Sequence, residues 1–430
     1  MQFEQLLRQS LIWRGFYFIV IVTLNIVLSR YLQATGTGWV YFLTNLFSIS
    51  SLLGSCNLES GFTYFAANGQ MNYRSLAWFG VLFTFLISWL IAPALTIYFT
   101  HFPVKAVSLQ QAVTYGQYYT LGIVLANLFS VLFYVQKNFI APNICLCLCN
   151  SVLIGAILYL QHTGVPAEKV IYTYFLFFTI QGVAIMLLFL FQHDCFRAFS
   201  LPRLAELKLL FRYSLIALMA NFIFLMVYRI DFWFVEHYRS ASELGNYIQA
   251  SKLGQMLLIV PQILASVVFP QVSEGLENRN IQQQIVVITR LLMQFFILLL
   301  IGSMLLGKLL FSAVFGITFN TMHLPFTLLL PGIFALSVLT LFSAYFAGSN
   351  KISVNVIGAC LALVFVGIGN YYFTPHYGIV AAAIISTIGY SINLMYSIYV
   401  FILANPHFAF KDFFRWQVSD YQLIKKMGKG

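Results

Sequence analysis

Residues 353–373, SVNVIGACLALVFVGIGNYYF, and 378–403, GIVAAAIISTIGYSINLMYSIYVFIL, hold no Asp, Glu, Lys or Arg between them. About 20 apolar residues wound as a helix, at ~1.5 Å each, cross a hydrocarbon core of ~30 Å, and both runs reach that length. Runs of the same kind recur along the whole chain. In the first half they fall at about 11–32, 39–58, 76–99, 113–135, 141–160 and 170–192. In the second they fall near 210–235, 245–268, 285–307, 325–346, 353–373 and 378–403. Lipid offers no partner to an open backbone, so each run is expected to be helical. The expected fold is an all-α polytopic membrane protein of about twelve transmembrane helices.

Composition agrees. Of the 430 residues, 60% are hydrophobic and 8% charged, and the mean hydropathy is +0.86. A soluble chain carries about a quarter charged residues because its surface meets water. The net charge of +11 would suggest nucleic acid in a soluble protein, but in a membrane protein it reflects basic cytoplasmic loops. An even helix count places both termini on one side. On the basis of the spans above, sixteen of the 23 basic residues fall on that side and five on the other, so both termini are expected to be cytoplasmic. No nucleic-acid partner is expected.

The longest internal connection, about 192–209, carries Arg197, Arg203 and Lys208. It divides the chain into an expected N-terminal six-helix bundle, 1–200, and a C-terminal bundle with a basic tail, 201–430. The halves echo each other. Tyr31 precedes Gly38 by seven residues as Tyr238 precedes Gly245, and the runs that follow end at Ala67-Asn68-Gly69 and Ser273-Glu274-Gly275. Duplication with substrate between the halves is a recurrent transporter plan. No connection is long enough for a folded domain, and no G-x-x-x-x-G-K-[ST] phosphate loop occurs. Cys145, Cys147 and Cys149 share an apolar run, with Cys147 pointing away from the other two. No pair of histidines has metal-ligand spacing, so neither a metal nor a cofactor is expected.

Charges inside the spans are the informative departures, since one near the bilayer centre costs ~2.5–3.5 kcal/mol on insertion scales. Arg14 lies one turn into the first span and Glu59 closes the second. Near the same membrane edge, the two pair, snorkel or meet a ligand. Arg229 and Asp231 occupy the outer third of the seventh span and Lys252 that of the eighth. Two residues apart on a helix means opposite faces, so Asp231 is expected to meet Lys252 or a charge from the first half. The group is either an interhelical ion pair or a weakly cationic patch in a central cavity, which would suit an anionic substrate. Of the aromatic residues, most serve lipid-facing surfaces and interfacial belts.

Arg229-Ile-Asp231-Phe-Trp-Phe, Glu243-Leu-Gly245-Asn-Tyr247, Leu257-Leu-Ile-Val-Pro261 and Phe269-Pro270-Gln-Val-Ser273 form a connected pattern. It resembles the seventh and eighth helices of Wzx-type polysaccharide and O-antigen flippases in the multidrug/oligosaccharidyl-lipid/polysaccharide (MOP) exporter superfamily. Leu28-Ser-Arg30-Tyr-Leu32 with Gly38, and Ser343-Ala-Tyr-Phe-Ala-Gly348 before Ser349-Asn350-Lys351, are similar to other stretches of that family. The resemblance implies two pseudo-symmetric six-helix bundles around a cavity open to one side at a time, in the bacterial cytoplasmic (inner) membrane. It implies a cargo of undecaprenyl-diphosphate-linked oligosaccharide, flipped to the outer leaflet by alternating access. Arg14, Arg229 and Lys252 are then the candidates for the pyrophosphate, and Asp231 and Glu59 for ion coupling or charge tuning. H+ or Na+ is the candidate coupling ion, and membrane lipids, a polysaccharide polymerase and glycosyltransferases are the implied partners. Peptidoglycan-precursor flippases of the superfamily usually carry fourteen helices, a number this chain does not reach. No catalytic constellation occurs, so an enzyme is not expected. The competing reading is a cation-coupled exporter of small organic compounds, of the MATE type, which would favour an acidic, aromatic cavity.

Overall fold

The computed structural model describes residues 3–104, 106–273 and 279–415. Lys105, Glu274-Gly275 and the basic tail beyond residue 415 lie outside the described residues. Every regular element described is a helix. In chain order these are α1 (Phe3–Gly54), α2 (Leu58–Ala67), α3 (Tyr73–His101), α4 (Leu109–Val135), α5 (Ile140–His162), α6 (Ala167–Gln192) and α7 (Leu204–Tyr238). They continue as α8 (Ala241–Met256), α9 (Ile259–Ser273), α10 (Arg279–Phe315), α11 (His323–Gly348), α12 (Ile352–Ala404) and the short α13 (Phe410–Phe414). Among the described residues nine helices are long and apolar enough to cross a membrane.

Two of the nine are each two spans. α1 has 52 residues and α12 has 53, which would run to about 80 Å if straight, far beyond a ~30 Å core. α1 breaks at Gln33 (φ 58°, ψ 179°), whose amide donates to the Arg30 carbonyl at 2.8 Å. α12 breaks at Gly378 (φ 63°, ψ −146°). An L side chain rarely adopts that backbone conformation, and a Cβ there would also meet the Arg239 guanidinium, 2.9 Å from Nε. One further span is split: α8 stops at Met256 and α9 starts at Ile259, with Leu257 and Leu258 between. Together these make twelve crossings, the architecture expected from the sequence.

Two expectations need correction. Glu59 does not close the second span. Cys56 and Asn57 take left-handed backbone (φ 51° and 54°), the helix restarts at Leu58, and Glu59 stands in the first turn of α2. The eighth span is not one uniform apolar run either. α8 carries Asn246, Gln249, Ser251, Lys252 and Gln255, and it is not among the nine apolar helices.

The chain gathers into two compact units, one ending at Phe222 and one beginning at Ile223, so the division falls inside α7. The first unit packs by close approach. A Cβ at Gly122 of α4 would overlap the Phe178 backbone of α6, and a Cβ at Gly182 of α6 would overlap Gly122. Small residues at such crossings let helices touch where lipid supplies no hydrophobic drive. Around that seam Phe62, Phe129, Phe133 and Phe189 are fully buried, and the Phe133 and Phe189 rings meet edge to face at 5.0 Å.

In the second unit the helix starts are tied by side chains. Ser240 caps α8 and Glu243 reaches back to it. Glu243 Oε1 also accepts from Arg239 Nε at 3.0 Å and Nη2 at 2.8 Å. Arg290 sits inside α10, 4% exposed. Its Nη1 donates to the Asp412 carbonyl at 3.0 Å, holding α13 against α10.

Candidate functional site

The polar interior of the second unit grows from α7, α8 and the second half of α12. Asp231 is 1% exposed. Its Oδ2 accepts hydrogen bonds from the Tyr247 hydroxyl at 2.5 Å and the Ser386 hydroxyl at 2.9 Å. Its Oδ1 is buried without a hydrogen-bond partner. Phe232, beside it, meets the Tyr247 ring edge-on at 5.8 Å. The expected pairing of Asp231 with Lys252 gives way to these two hydroxyls, from α8 and α12. A buried carboxylate needs donors to offset the water it has lost, and hydroxyls supply them without a second charge.

Arg229 and Lys252 are half-buried. The Arg229 guanidinium carbon lies 5.3 Å from the centroid of the Phe232 ring, a cation–π distance. Arg229 acts electrostatically on both Asp231 and Lys252, so the three charges form one group within the second unit. Tyr228 and Tyr390 stand beside it with ring centroids 6.0 Å apart.

Glu59 belongs to the first unit, where it sits beside the Asn127 side chain of α4. Arg14 lies on α1, and its side chain is outside the described residues. The structure thus brings together Arg229, Asp231 and Lys252, while Glu59 lies in the other unit.

Sequence reading missed the partners. On α12, Ser386, Tyr390, Asn393 and Ser397 follow at i, i+4, i+7 and i+11, and each is nearly or fully buried. That spacing makes one polar stripe along an otherwise apolar helix. On α8, Asn246 and Gln249 are 1% and 2% exposed. The Asn246 amide donates to the Ser242 and Thr318 carbonyls at 2.9 and 3.0 Å. The Oδ1 of Asn246 and the Oε1 of Gln249 have no partner in the described protein. Buried, incompletely satisfied amides at membrane depth are costly, and the first unit holds them too, at Asn45 and Asn57.

No protein-family model matches the chain, and no curated protein sequence does. Solved structures do. The lipid II flippase MurJ in an inward closed conformation superposes with a TM-score of 0.70 at 15% identity, over 94% of this chain and 88% of MurJ. An inward-facing multidrug resistance MATE family transporter of the MOP superfamily gives a TM-score of 0.72 at 15% identity, over 91% and 94%. A MOP superfamily transporter from Pyrococcus furiosus Vc1, described by the reverse polarity of its binding pocket, gives 0.63 at 14% identity, over 94% of both chains. The chain is a polytopic membrane protein with the fold of MOP superfamily transporters.

Proposed function

We propose that this chain is a transporter that moves an undecaprenyl-diphosphate-linked oligosaccharide from the cytoplasmic to the outer leaflet of a bacterial inner membrane, by alternating access. The observation that supports this reading is the grouping of two cations, Arg229 and Lys252, with Asp231 inside the second unit. A pyrophosphate reaching that group would be held by charge-assisted hydrogen bonds from both cations. Arg14 is the proposed third cation for the same headgroup. Asp231 and Glu59 are the proposed ion-coupling or charge-tuning groups, with H+ or Na+ as the ion. Both termini face the cytoplasm in this reading, on the strength of the basic bias of the loops. A polymerase and glycosyltransferases are the proposed partners.

The test is flipping of a fluorescent prenyl-diphosphate sugar in proteoliposomes. Arg229→Glu and Lys252→Glu should each slow it at least tenfold, a loss of about 1.4 kcal/mol, with membrane insertion intact. Normal flipping in both variants would remove these residues from the site.

One observation favours a second reading. Asp231 stands among Tyr228, Tyr247 and Tyr390, and an acidic, aromatic lining suits a MATE-like exporter of organic cations. The reversed pocket polarity reported for the Pyrococcus relative makes the sign of pocket charge the discriminating feature within this fold. Binding of tetraphenylphosphonium in preference to a prenyl-diphosphate sugar by the purified protein would select the exporter.

A further inference from the structure

Beside the charged group, the second unit holds a separate, half-open cavity of about 220 Å³, lined by Phe224 and Tyr228 of α7, Thr340 and Ser343 of α11, and Asn355 and Asn393 of α12. None of its lining residues carries a charge, which sets it apart from the neighbouring Arg229, Asp231 and Lys252. Its polar groups offer mainly acceptors. Asn393 is 6% exposed, and its Oδ1 is buried without a partner. The Asn355 amide donates to the Ser343 carbonyl at 3.1 Å, which leaves its Oδ1 to accept. The Thr340 hydroxyl donates to the Leu336 carbonyl at 2.8 Å and can accept through its remaining lone pairs.

The cavity depends on one glycine. A Cβ on Gly358 would collide with Asn393 Oδ1, so the amide reaches its position only because residue 358 lacks a side chain. An unpartnered acceptor buried in this way costs about 1–3 kcal/mol, and the acceptors left for a ligand are Asn355 Oδ1 and the Thr340 and Ser343 hydroxyls.

We infer that this cavity is a subsite for one neutral sugar ring. A cavity of this size falls below the ~300–1,000 Å³ of pockets for larger ligands, yet it is far wider than the cage a desolvated cation needs, whose oxygen ligands stand at about 2–2.6 Å. A pyranose presents hydroxyl donors at its rim and apolar C–H faces to rings such as Tyr228 and Phe224. Tyr228 is the residue before Arg229, so the ring would lie next to the cationic group, as the first sugar of a prenyl-diphosphate glycan lies next to its diphosphate. The assignment rests on the proposed glycan cargo and names where that cargo's first sugar binds.

The experiment is saturation-transfer NMR on the full-length protein in nanodiscs, with the methyl glycosides of glucose, galactose, mannose and N-acetylglucosamine as probes. At least one glycoside should show transfer in the unaltered protein, reduced at least fivefold by Asn393→Leu and at least twofold by the milder Ser343→Ala. Both variants should keep the thermal melt of the parent. Absence of transfer from all four in the unaltered protein overturns the subsite, as does undiminished transfer in Ser343→Ala and a folded Asn393→Leu. Loss of the signal on adding sodium chloride, at constant ionic strength against choline chloride, would assign the cavity to a cation instead. Glycoside binding in a protein that flips no lipid would overturn the transport reading alone, and flipping without glycoside binding would overturn the subsite alone.

Discussion

The two units solve the same problem of packing six helices in lipid, and one buried carboxylate separates their interiors. In the first, Phe62, Phe129, Phe133 and Phe189 are fully buried and α4 meets α6 backbone to backbone through Gly122 and Gly182. In the second, Asp231, Asn246, Gln249 and Ser386 are each no more than 2% exposed, and several of their oxygens lack partners. Between helices in lipid, apolar burial gives little net drive, so close fit is the cheap source of stability. Both units use it, the second where a Cβ at Gly332 of α11 would meet the Thr387 backbone of α12 at 2.8 Å. Both units bury amide oxygens without partners, at Asn45 and Asn57 in the first and at Asn246, Gln249 and Asn393 in the second, but the second adds a buried carboxylate, Asp231, that fit alone does not require.

The sharpest way to break that comparison is the same substitution in both units. Gly122→Ala puts a methyl into the Phe178 backbone, which cannot rotate away, and should cost about 3 kcal/mol. For a unit of this size that is a fall of roughly 6–12 °C in melting temperature. Gly254→Ala in α8 meets only the outer atoms of Ile333, at 3.0 and 3.1 Å. Those can shift, and alanine regains about 1 kcal/mol of helix propensity, so the melt should move little. Equal losses in thermal unfolding of the two variants would show that a clash with backbone costs no more than one with a movable side chain.

The buried carboxylate should respond more moderately, and cooperatively. Tyr247 and Ser386 both donate to the same oxygen of Asp231, so either alone keeps it partnered. Tyr247→Phe should cost about 1.5 kcal/mol and Ser386→Ala about 1 kcal/mol. The double variant should exceed their sum, because the carboxylate then loses both of its side-chain donors. A strictly additive double variant in denaturant unfolding would mean that the hydroxyls do not act through Asp231.

How far these features could be read from sequence depends on what each one leaves in the residue pattern. Twelve crossings were legible because length and apolarity are local properties, and the structure's helices cover the expected spans. The breaks were not. Cys56 and Asn57 turn left-handed inside an apolar run; asparagine tolerates that conformation better than most side chains, but a lone Asn in a span does not announce it as glycine would. Arg229, Asp231 and Lys252 stood out because charge within a span is rare. The hydroxyls that bind Asp231 did not, since Ser386 lies 155 positions away and a lone serine in a membrane helix is ordinary. The stripe 386, 390, 393 and 397 was present in the spacing, and a search for polar residues at helical period would have found it. Which amide lines a cavity, as Asn393 does, depends on Gly358 of another segment and is visible only once the chain is folded.

The smallest expected effect lies at the corner between α7 and α8, just before the span read at 245–268. Burial by itself would raise the Glu243 carboxyl, but hydrogen bonds from Arg239 and from the Ser240 backbone and hydroxyl outweigh it and hold Glu243 below its ordinary value. A carboxyl depressed by folding contributes stability that is fully present above its unfolded value, about 4.3, and that is lost as pH falls through the lower folded value. The pair is 31% and 30% exposed at its two side chains, so its worth is about 0.5–1 kcal/mol. Arg239→Gln should therefore destabilise the protein by that amount at pH 7 and at pH 5 alike, and the gap from the unaltered protein should close only below about pH 4. A gap that stayed constant down to pH 3.5 would assign the role of Arg239 to its packing against Gly378 rather than to its charge. The corner would then be held by fit, as Gly122 and Gly182 hold the seam between α4 and α6.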